Sequence, residues 1–334
     1  MTYFVLFPDV ILVSGALNSL LIDFRVHNYI SIDNEIANFL IPRTIELNNL
    51  NPDDKEFLDY LEEKEYGVYC NKIEMESFQP INEEWDFPAE ITNAILEIDT
   101  KQQVDLNLIC KQLSALQCEQ IELRMNEKIS NQQFENIIAL MGENGIHGIQ
   151  LVLPFDSALT SEYLFKMGKN CNVFIYSVLM YNTPQNFTPP KTNNVITFDY
   201  RIGSLTCLDC GNISKTKFLV DIPFYAESIK HNTCLNRKIA ISTTGEIKNC
   251  PSFKNSFGNV NKISLKNVLN NSNFTDIWHI NKEQIKVCKD CEFRRICTDC
   301  RAYTVDEADI YSKPKKCNYN PYKGVWEDSI NEQK

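Results

Sequence analysis

Four cysteines stand within thirteen residues in the segment CKDCEFRRICTDC, residues 288–300. They form two Cys-x2-Cys pairs separated by five residues, Cys288 with Cys291 and then Cys297 with Cys300. A Cys-x2-Cys turn places two sulfur atoms on the same side of a tight loop, which suits a tetrahedral site. Thiols at this density need a shared partner, which is zinc, an iron–sulfur cluster or other cysteines.

The cellular compartment decides whether these thiols bind a metal or form disulfides. No stretch approaches the roughly 20 apolar residues that a membrane helix needs. The N-terminal sequence MTYFVLFPDVILVSGAL lacks a basic n-region and is interrupted by Pro8 and Asp9, so it predicts strands and not a signal peptide. We therefore expect a cytoplasmic protein with no membrane partner. Thiols stay reduced in the cytoplasm, which favours metal binding over disulfides.

The length and the net charge of the chain limit the class of protein. The chain has 334 residues, 43% of them apolar and 23% charged, which allows two or three domains with cores of their own. The formal net charge is −11, from 44 acidic and 33 basic residues. A nucleic-acid partner is not expected, because such a protein would present a basic face.

The spacing of the cysteines separates the metal alternatives. Nine of the 13 fall in one region, and they are Cys207, Cys210, Cys234, Cys250, Cys288, Cys291, Cys297, Cys300 and Cys317. Four-cysteine zinc sites commonly pair two knuckles across roughly 12 to 20 residues. The five-residue gap here favours one segment wrapping an iron–sulfur cluster, with zinc as the alternative. Four thiolates bind one cluster, so nine can serve two clusters with one to spare.

The other four cysteines are scattered along the chain. Cys70, Cys110, Cys118 and Cys171 are predicted to be core residues, because free cysteine packs as a small hydrophobe. Within the dense segment, Arg294 and Arg295 have two open interpretations. They either offset the negative charge of a cluster or are solvated surface residues.

The region from 234 to 317 resembles a known family. CLNRKIAISTTGEIKNCPSF, followed by VCKDCEFRRICTDCRAY and a trailing cysteine, resembles a SPASM domain, the auxiliary-cluster module of radical SAM enzymes that modify peptides. NCPSF, FGNV and CEFRRICTDCRAY resemble, more narrowly, the SPASM peptide maturases of grasp-with-spasm systems. The resemblance implies an ATP-grasp ligase and a small ribosomal precursor peptide as partners.

The resemblance also implies two groups of cluster ligands. The first ligand set is Cys288, Cys291, Cys297 and Cys317. The second ligand set is Cys234, Cys250 and Cys300, with Cys207 or Cys210 as the fourth member. The resemblance therefore implies one or two 4Fe–4S clusters. The chain departs from the family in having two residues, where three are common, before Cys300, and no cysteine shortly before Cys234.

The middle of the chain alternates apolar strand patterns with helical ones. Strands predicted in ITNAILEID, EQIELRM, IHGIQLVL and CNVFIYSVLM alternate with helices of 10 to 15 residues, which indicates a parallel sheet. About four βα units fit, half of a (β/α)8 barrel. The Cys-x3-Cys-x2-Cys triad that radical SAM enzymes carry after the first barrel strand is missing. We therefore expect a degenerate barrel that does not cleave SAM, and the four dispersed histidines indicate no catalytic residue.

The N-terminal segment predicts a small module of strands and helices. YFVLF, VILVSGA and SLLID predict a three-stranded ribbon, and helices are predicted in SIDNEIANFL and NPDDKEFLDYLEEKEYG, the second capped by Asn51 and ended by Gly67. The module is of winged-helix type. It resembles the recognition elements that grip the leader of a precursor peptide as an added β-strand.

Together these observations predict an α/β protein with four regions. Residues 1–88 form the winged-helix-like recognition module, 91–205 a degenerate partial (β/α) radical SAM-like barrel, 206–322 a cysteine-rich SPASM domain and 323–334 a tail. One helix is predicted in ISLKNVLNNSNFTDIWHI. The expected function is maturation of a ribosomal peptide. The alternatives are a zinc-stabilised peptide-binding scaffold, or a radical SAM-type enzyme with a non-standard cluster site.

Overall fold

The structure is a computed structural model that describes residues 2–84, 87–99, 101, 104–189, 195–205 and 210–327. The chain divides into two compact units. The first, here the cysteine unit, comprises Met1–Asp86, Gly211–Cys234 and His279–Lys334. The second, here the sheet unit, comprises Phe87–Cys210 and Leu235–Trp278.

The N-terminal part of the cysteine unit holds two three-stranded antiparallel sheets. Its elements are β1 (Thr2–Leu6), β2 (Val10–Ser14), β3 (Asn18–Asp23), β4 (Asn28–Asp33), α1 (Asn34–Leu40), β5 (Thr44–Glu46), α2 (Pro52–Glu63), β6 (Gly67–Asn71) and α3 (Lys72–Met75). One sheet has the order β5–β1–β6 and the other β2–β3–β4. The winged-helix description stays a prediction.

The predicted ribbon is wrong in its first strand. β1 pairs with β5 and β6, and β4 takes its place beside β3. The reason is burial, because Phe4 and Leu6 of β1 share an apolar core with Leu58 and Leu61 of α2. Asn51 caps α2 as predicted, since its side chain accepts a hydrogen bond from the Asp54 N–H at 2.7 Å. The helix ends at Glu63, however, and Gly67 begins β6.

The middle of the chain forms the predicted parallel sheet. Its elements are β7 (Asn93–Ile98), α4 (Leu106–Ala115), β8 (Gln120–Met125), α5 (Asn131–Glu143), β9 (Gly148–Pro154), α6 (Ser161–Asn170), β10 (Phe174–Tyr181) and β11 (Thr197–Tyr200). All neighbouring pairs from β7 to β11 are parallel. In the described ranges between 87 and 205, three helices alternate with the strands and give three complete βα units, whereas the sequence predicts about four. The half-barrel description stays a prediction.

After β11 the chain enters the cysteine unit through α7 (Ile222–Lys230), which sequence reasoning missed. Its signal was present, because the Asp221 side chain accepts from the Phe224 N–H at 2.8 Å and Pro223 lies in the first turn. The chain then returns to the sheet unit with β12 (Lys238–Ile241) and β13 (Ile247–Lys248). β12 is parallel to β7, so the full order is β11–β10–β9–β8–β7–β12–β13.

The single helix predicted in ISLKNVLNNSNFTDIWHI is wrong. The segment forms α8 (Leu265–Leu269), α9 (Ser272–Thr275) and a 3₁₀ turn at Asp276–His279. The break arises because Asn271 caps a new helix, with its side chain accepting from the Asn273 N–H at 3.1 Å. A hairpin of β14 (Tyr319–Asn320) and β15 (Val325–Trp326) follows in the cysteine unit. No helix in the described part of the chain is long and apolar enough to span a membrane.

Candidate metal centre

The cysteine-rich loop consists of two tight turns in succession. Cys288–Asp290 and Glu292–Arg295 are 3₁₀ turns, and the Cys291 N–H donates to the Cys288 carbonyl at 3.0 Å. Short turns of this kind hold neighbouring thiols on one side of the backbone. The local fold therefore follows from the Cys-x2-Cys spacing.

The four thiols of the first ligand set lie in one neighbourhood of the cysteine unit. Cys288 and Cys297 are buried, and Cys291 and Cys317 are half-buried. The pKa of Cys297 is raised to about 12, mainly by burial and to a smaller extent by the nearby Cys317 and Cys288, whereas Lys282 acts to lower it. Burial also raises the pKa of Cys291, with smaller contributions from Glu292 and Cys297. Each of the four thiols thus lies near at least one other thiol of the set.

A buried lysine lies among these thiols, and sequence reasoning missed it. Lys282 is 5% exposed, and its Nζ donates to the Cys297 Sγ at 3.4 Å. Burial alone would lower the pKa of Lys282, but Cys297, Cys288 and Asp299 outweigh it, so the pKa is raised. The sequence context of this lysine, NKEQ, resembles that of a solvated lysine and gave no signal.

The two arginines of the loop form ion pairs with one carboxylate. Arg294 Nε and Arg295 Nη2 both bind the Glu283 carboxylate, at 2.8 and 2.6 Å. Arg294 also donates to the Cys291 carbonyl at 3.0 Å, and Arg295 to the Ser228 carbonyl at 2.8 Å. Both side chains are 15% exposed, so the solvated interpretation is wrong. They fasten the loop to its surroundings.

A buried polar network joins the turn of Cys234 to the loop of Cys300. The Cys234 N–H donates to Asn232 Oδ1 at 3.0 Å, and Asn232 Nδ2 donates to Asp299 Oδ2 at 2.9 Å. Arg301 Nε donates to Asp299 Oδ1 at 2.9 Å. The three polar side chains are 0, 1 and 3% exposed in the order Asn232, Asp299, Arg301. The network fixes two members of the second ligand set in one unit.

The backbone also passes directly against the Cys300 thiol. A Cβ on Gly211 would lie 2.7 Å from the Cys300 Sγ, and the φ of Gly211 is +77°. Both facts require glycine at this position. Gly211 follows Cys210 in the sequence.

The other members of the second ligand set are placed as follows. Cys250 lies in the sheet unit, where it is buried and its sulfur accepts from the Ser252 N–H at 3.3 Å. Cys210 is exposed and also belongs to the sheet unit. Cys207 lies outside the described residues. Within the described ranges, no three or more His, Cys, Asp or Glu side chains converge closely enough to hold a single metal ion.

The scattered cysteines largely behave as predicted. Cys70, Cys110 and Cys118 are buried, which confirms the prediction for these three, and Cys171 is half-buried. Burial raises the pKa of Cys110 and of Cys118 to about 12. Both are therefore neutral thiols at physiological pH.

The histidines are less dispersed than their sequence positions indicate. The His231 and His279 rings lie 5.2 Å apart between centroids. His27 Nδ1 is 2.6 Å from the Val220 carbonyl, and His147 Nδ1 is 3.2 Å from the Asn172 carbonyl. The contacts of His27 and His147 are those of structural residues.

The hairpin of β2 and β3 is hydrogen-bonded to the cysteine-rich loop. The Ala16 N–H donates to the Asp290 carbonyl at 2.7 Å, and Arg294 Nη1 donates to the Ser14 carbonyl at 2.5 Å. A Cβ on Gly15 would lie 2.7 Å from the Glu292 backbone nitrogen. The N-terminal module and the first ligand set therefore share one packed structure.

Comparison with protein families gives one match. Residues 233–292 match the SPASM family, described as an iron–sulfur cluster-binding domain. The matched segment contains Cys234, Cys250, Cys288 and Cys291 and ends before Cys297. No curated protein sequence matches the chain.

Solved structures with a similar path of the chain include two proteins. SuiB of Streptococcus suis, in a crystal structure with bound S-adenosylmethionine, is 10% identical, with 93% of this chain and 99% of SuiB covered and a TM-score of 0.39. BtrN in an open conformation is 10% identical, with 60% of this chain and 92% of BtrN covered and a TM-score of 0.36. BtrN in complex with AdoMet and 2-DOIA is 8% identical, with coverages of 63% and 94% and a TM-score of 0.35.

Proposed function

We propose that this chain is a maturation protein for a ribosomally made peptide, that it binds one or two 4Fe–4S clusters, and that it acts with an ATP-grasp ligase. The observation that carries the proposal is the gathering of Cys288, Cys291, Cys297 and Cys317 in one unit. The SPASM match at 233–292 supports it independently.

The first ligand set has the chemistry that a cluster requires. Iron–sulfur clusters are held by four cysteine thiolates, and hydrogen bonds to the sulfurs tune them. The Phe293 backbone N–H bonds the Cys291 sulfur, and Lys282 bonds the Cys297 sulfur. These donors would stabilise the thiolate forms. A bound cluster would supply one-electron transfer at this loop.

The second ligand set rests on the sequence pattern. Cys234, Cys250 and Cys300 are its proposed members, and Cys207 or Cys210 completes it. The buried network around Asn232 supports the set, because it holds the Cys234 turn and the Cys300 loop in fixed places.

The proposed role of the N-terminal module is to bind the leader of the precursor peptide. Sheet β2–β3–β4 ends in β4, which pairs with β3 alone among the described strands. An edge strand offers backbone N–H and C=O groups to an extended peptide. Since the β2–β3 hairpin is bonded to the cysteine-rich loop, a bound leader would lie on the same packed structure as the first ligand set.

The proposed division of labour leaves bond formation to the partner. An ATP-grasp ligase would form the side-chain amide or ester links, and this chain would present the peptide or transfer electrons. SuiB and BtrN were crystallised with S-adenosylmethionine or AdoMet. This chain has no Cys-x3-Cys-x2-Cys triad, so we propose that it does not cleave SAM.

Metal analysis of the anaerobically purified chain tests the proposal. We expect iron and acid-labile sulfide in equal amounts, at least about four of each per chain. Cys291→Ala removes one thiolate of the first ligand set and is expected to lose about four irons. Cys171→Ala removes a half-buried thiol outside both sets and is expected to retain the full content.

Two results of the metal analysis would contradict the proposal or its test. Stoichiometric zinc without iron would replace the proposal with the zinc-stabilised scaffold. Equal iron loss in Cys171→Ala and Cys291→Ala would mean that the losses reflect general damage and not ligation.

A further inference from the structure

Lys282 lies where a lysine is rarely found. Lysine is almost never fully buried unless it is paired, because an unpaired buried ammonium loses its hydration. Lys282 is 5% exposed, and its ammonium donates a hydrogen bond to the sulfur of Cys297. The carboxylate of Asp299 acts on the charge of Lys282, but its two oxygens already bind Asn232 and Arg301. The principal hydrogen-bond partner of the ammonium is therefore sulfur.

A neutral thiol is a poor partner for a buried ammonium. Thiol sulfur is a weak acceptor, whereas a thiolate carries a full negative charge. Lys282 is 5% exposed and Cys297 is 7% exposed, so their contact is largely shielded from water. A cluster bound by four thiolates is a buried anion. When the first ligand set holds a cluster, the negative charge of the cluster therefore balances the positive charge of the Lys282 ammonium.

The neighbouring cations do not duplicate this role. Arg294 and Arg295 bind Glu283, and Arg301 binds Asp299 and the carbonyl of Ser312 at 2.7 Å. Of these four described cations, Lys282 is the one that donates a hydrogen bond to the sulfur of a proposed ligand.

We propose that Lys282 is a positioning residue for the cluster of the first ligand set, donating a hydrogen bond to the Cys297 sulfur and holding a positive charge against the cluster. This inference rests on the proposed function. Reduction adds an electron to the cluster, so a fixed nearby cation stabilises the reduced state more than the oxidised one. Lys282 thereby raises the reduction potential.

The test is a redox titration of four variants beside the wild type. Lys282→Met removes charge and donor at similar length, Lys282→Gln keeps a neutral donor, and Lys282→Arg keeps the charge. Lys286→Met is the matched control, because Lys286 is 73% exposed and pairs with Asp309 at the surface. The midpoint potential is measured by spectroelectrochemistry and electron paramagnetic resonance, with iron content and circular dichroism on the same samples.

We expect a more negative potential in Lys282→Met and Lys282→Gln, a smaller change in Lys282→Arg, and the wild-type value in Lys286→Met. Wild-type potentials in Lys282→Met and Lys282→Gln, with iron retained, would overturn the inference and leave the proposed function intact. If Lys282→Met does not fold, the potential of Lys282→Gln decides the matter alone. A wild-type chain without iron would overturn the proposed function, and this inference with it.

Discussion

At the scale of single residues, buried polar groups determine the geometry around the cysteines. The side-chain oxygen of Asn232 accepts a hydrogen bond from the Cys234 N–H. Its side-chain nitrogen donates to Asp299 and also to the Ile280 carbonyl, the latter at 3.2 Å. A buried polar group that loses its partner carries the full cost of its lost hydration. The network is therefore sensitive to removal of one member.

Asn232→Ala tests this sensitivity. The substitution removes the hydrogen bonds of the Asn232 side chain to the Cys234 N–H and to one Asp299 oxygen in the interior, so we expect a loss of about 2–4 kcal/mol in the free energy of unfolding. Urea denaturation followed by circular dichroism measures it. Asn270→Ala changes an exposed asparagine and is expected to stay within about 0.5 kcal/mol of wild type. Equal effects of the two variants would contradict the role of the network.

The resemblance to the SPASM family implies the first ligand set, and the ligand role of these cysteines stays a prediction. The structure places all four of them in the cysteine unit. Lys282 could not be predicted, because its burial depends on contacts with Cys297, 15 residues further along the chain. The same limit applies to Arg294 and Arg295, whose partner Glu283 lies outside the motif.

At the scale of elements, local pattern explains most of the sheet unit and less of the cysteine unit. β7 to β10 were predicted because each is a run of apolar residues between helices with clear caps, such as Ser130 before α5. The sequence places β1 in the wrong sheet, and it does not predict α7. β1 has the same apolar character as β2, but it pairs with β5 and β6, which lie far along the chain.

The β2–β3 hairpin offers an element-scale prediction. A Cβ on Gly15 would lie 2.7 Å from both the Asn18 carbonyl and the Glu292 backbone nitrogen. These backbone atoms cannot move without separating the hairpin from the loop. We expect Gly15→Ala to lower the free energy of unfolding by about 1–3 kcal/mol and to speed iron loss to a chelator.

Gly148→Ala is the matched control for Gly15→Ala. Its added Cβ would meet the flexible Gln120 side chain at 3.0 Å, so a small shift of that side chain relieves the contact. Iron release is followed by the colour of an iron chelator complex under anaerobic conditions. Similar release rates for Gly15→Ala and wild type would show that the hairpin does not support the loop.

At the scale of the whole molecule, both compact units are built from segments that are distant in sequence. The cysteine unit joins three segments, and the sheet unit joins two. β12 belongs to the seven-stranded sheet because its Ile239, Ala240 and Ile241 are buried beside β7. Sequence order cannot reveal such a pairing, since the residues between β11 and β12 give no sign of a return. The predicted domain limits stay predictions.

The second ligand set provides the whole-molecule prediction, because its proposed members come from separate segments of the chain. With two clusters, the wild type holds about eight irons, and Cys234→Ala and Cys291→Ala each retain about four. The double variant should hold none. The fourth member is proposed to be Cys207 or Cys210, so one of the variants Cys207→Ala and Cys210→Ala should lose about four irons and the other should keep about eight. A wild type with about four irons, all retained by Cys234→Ala, would show that the second set binds no cluster.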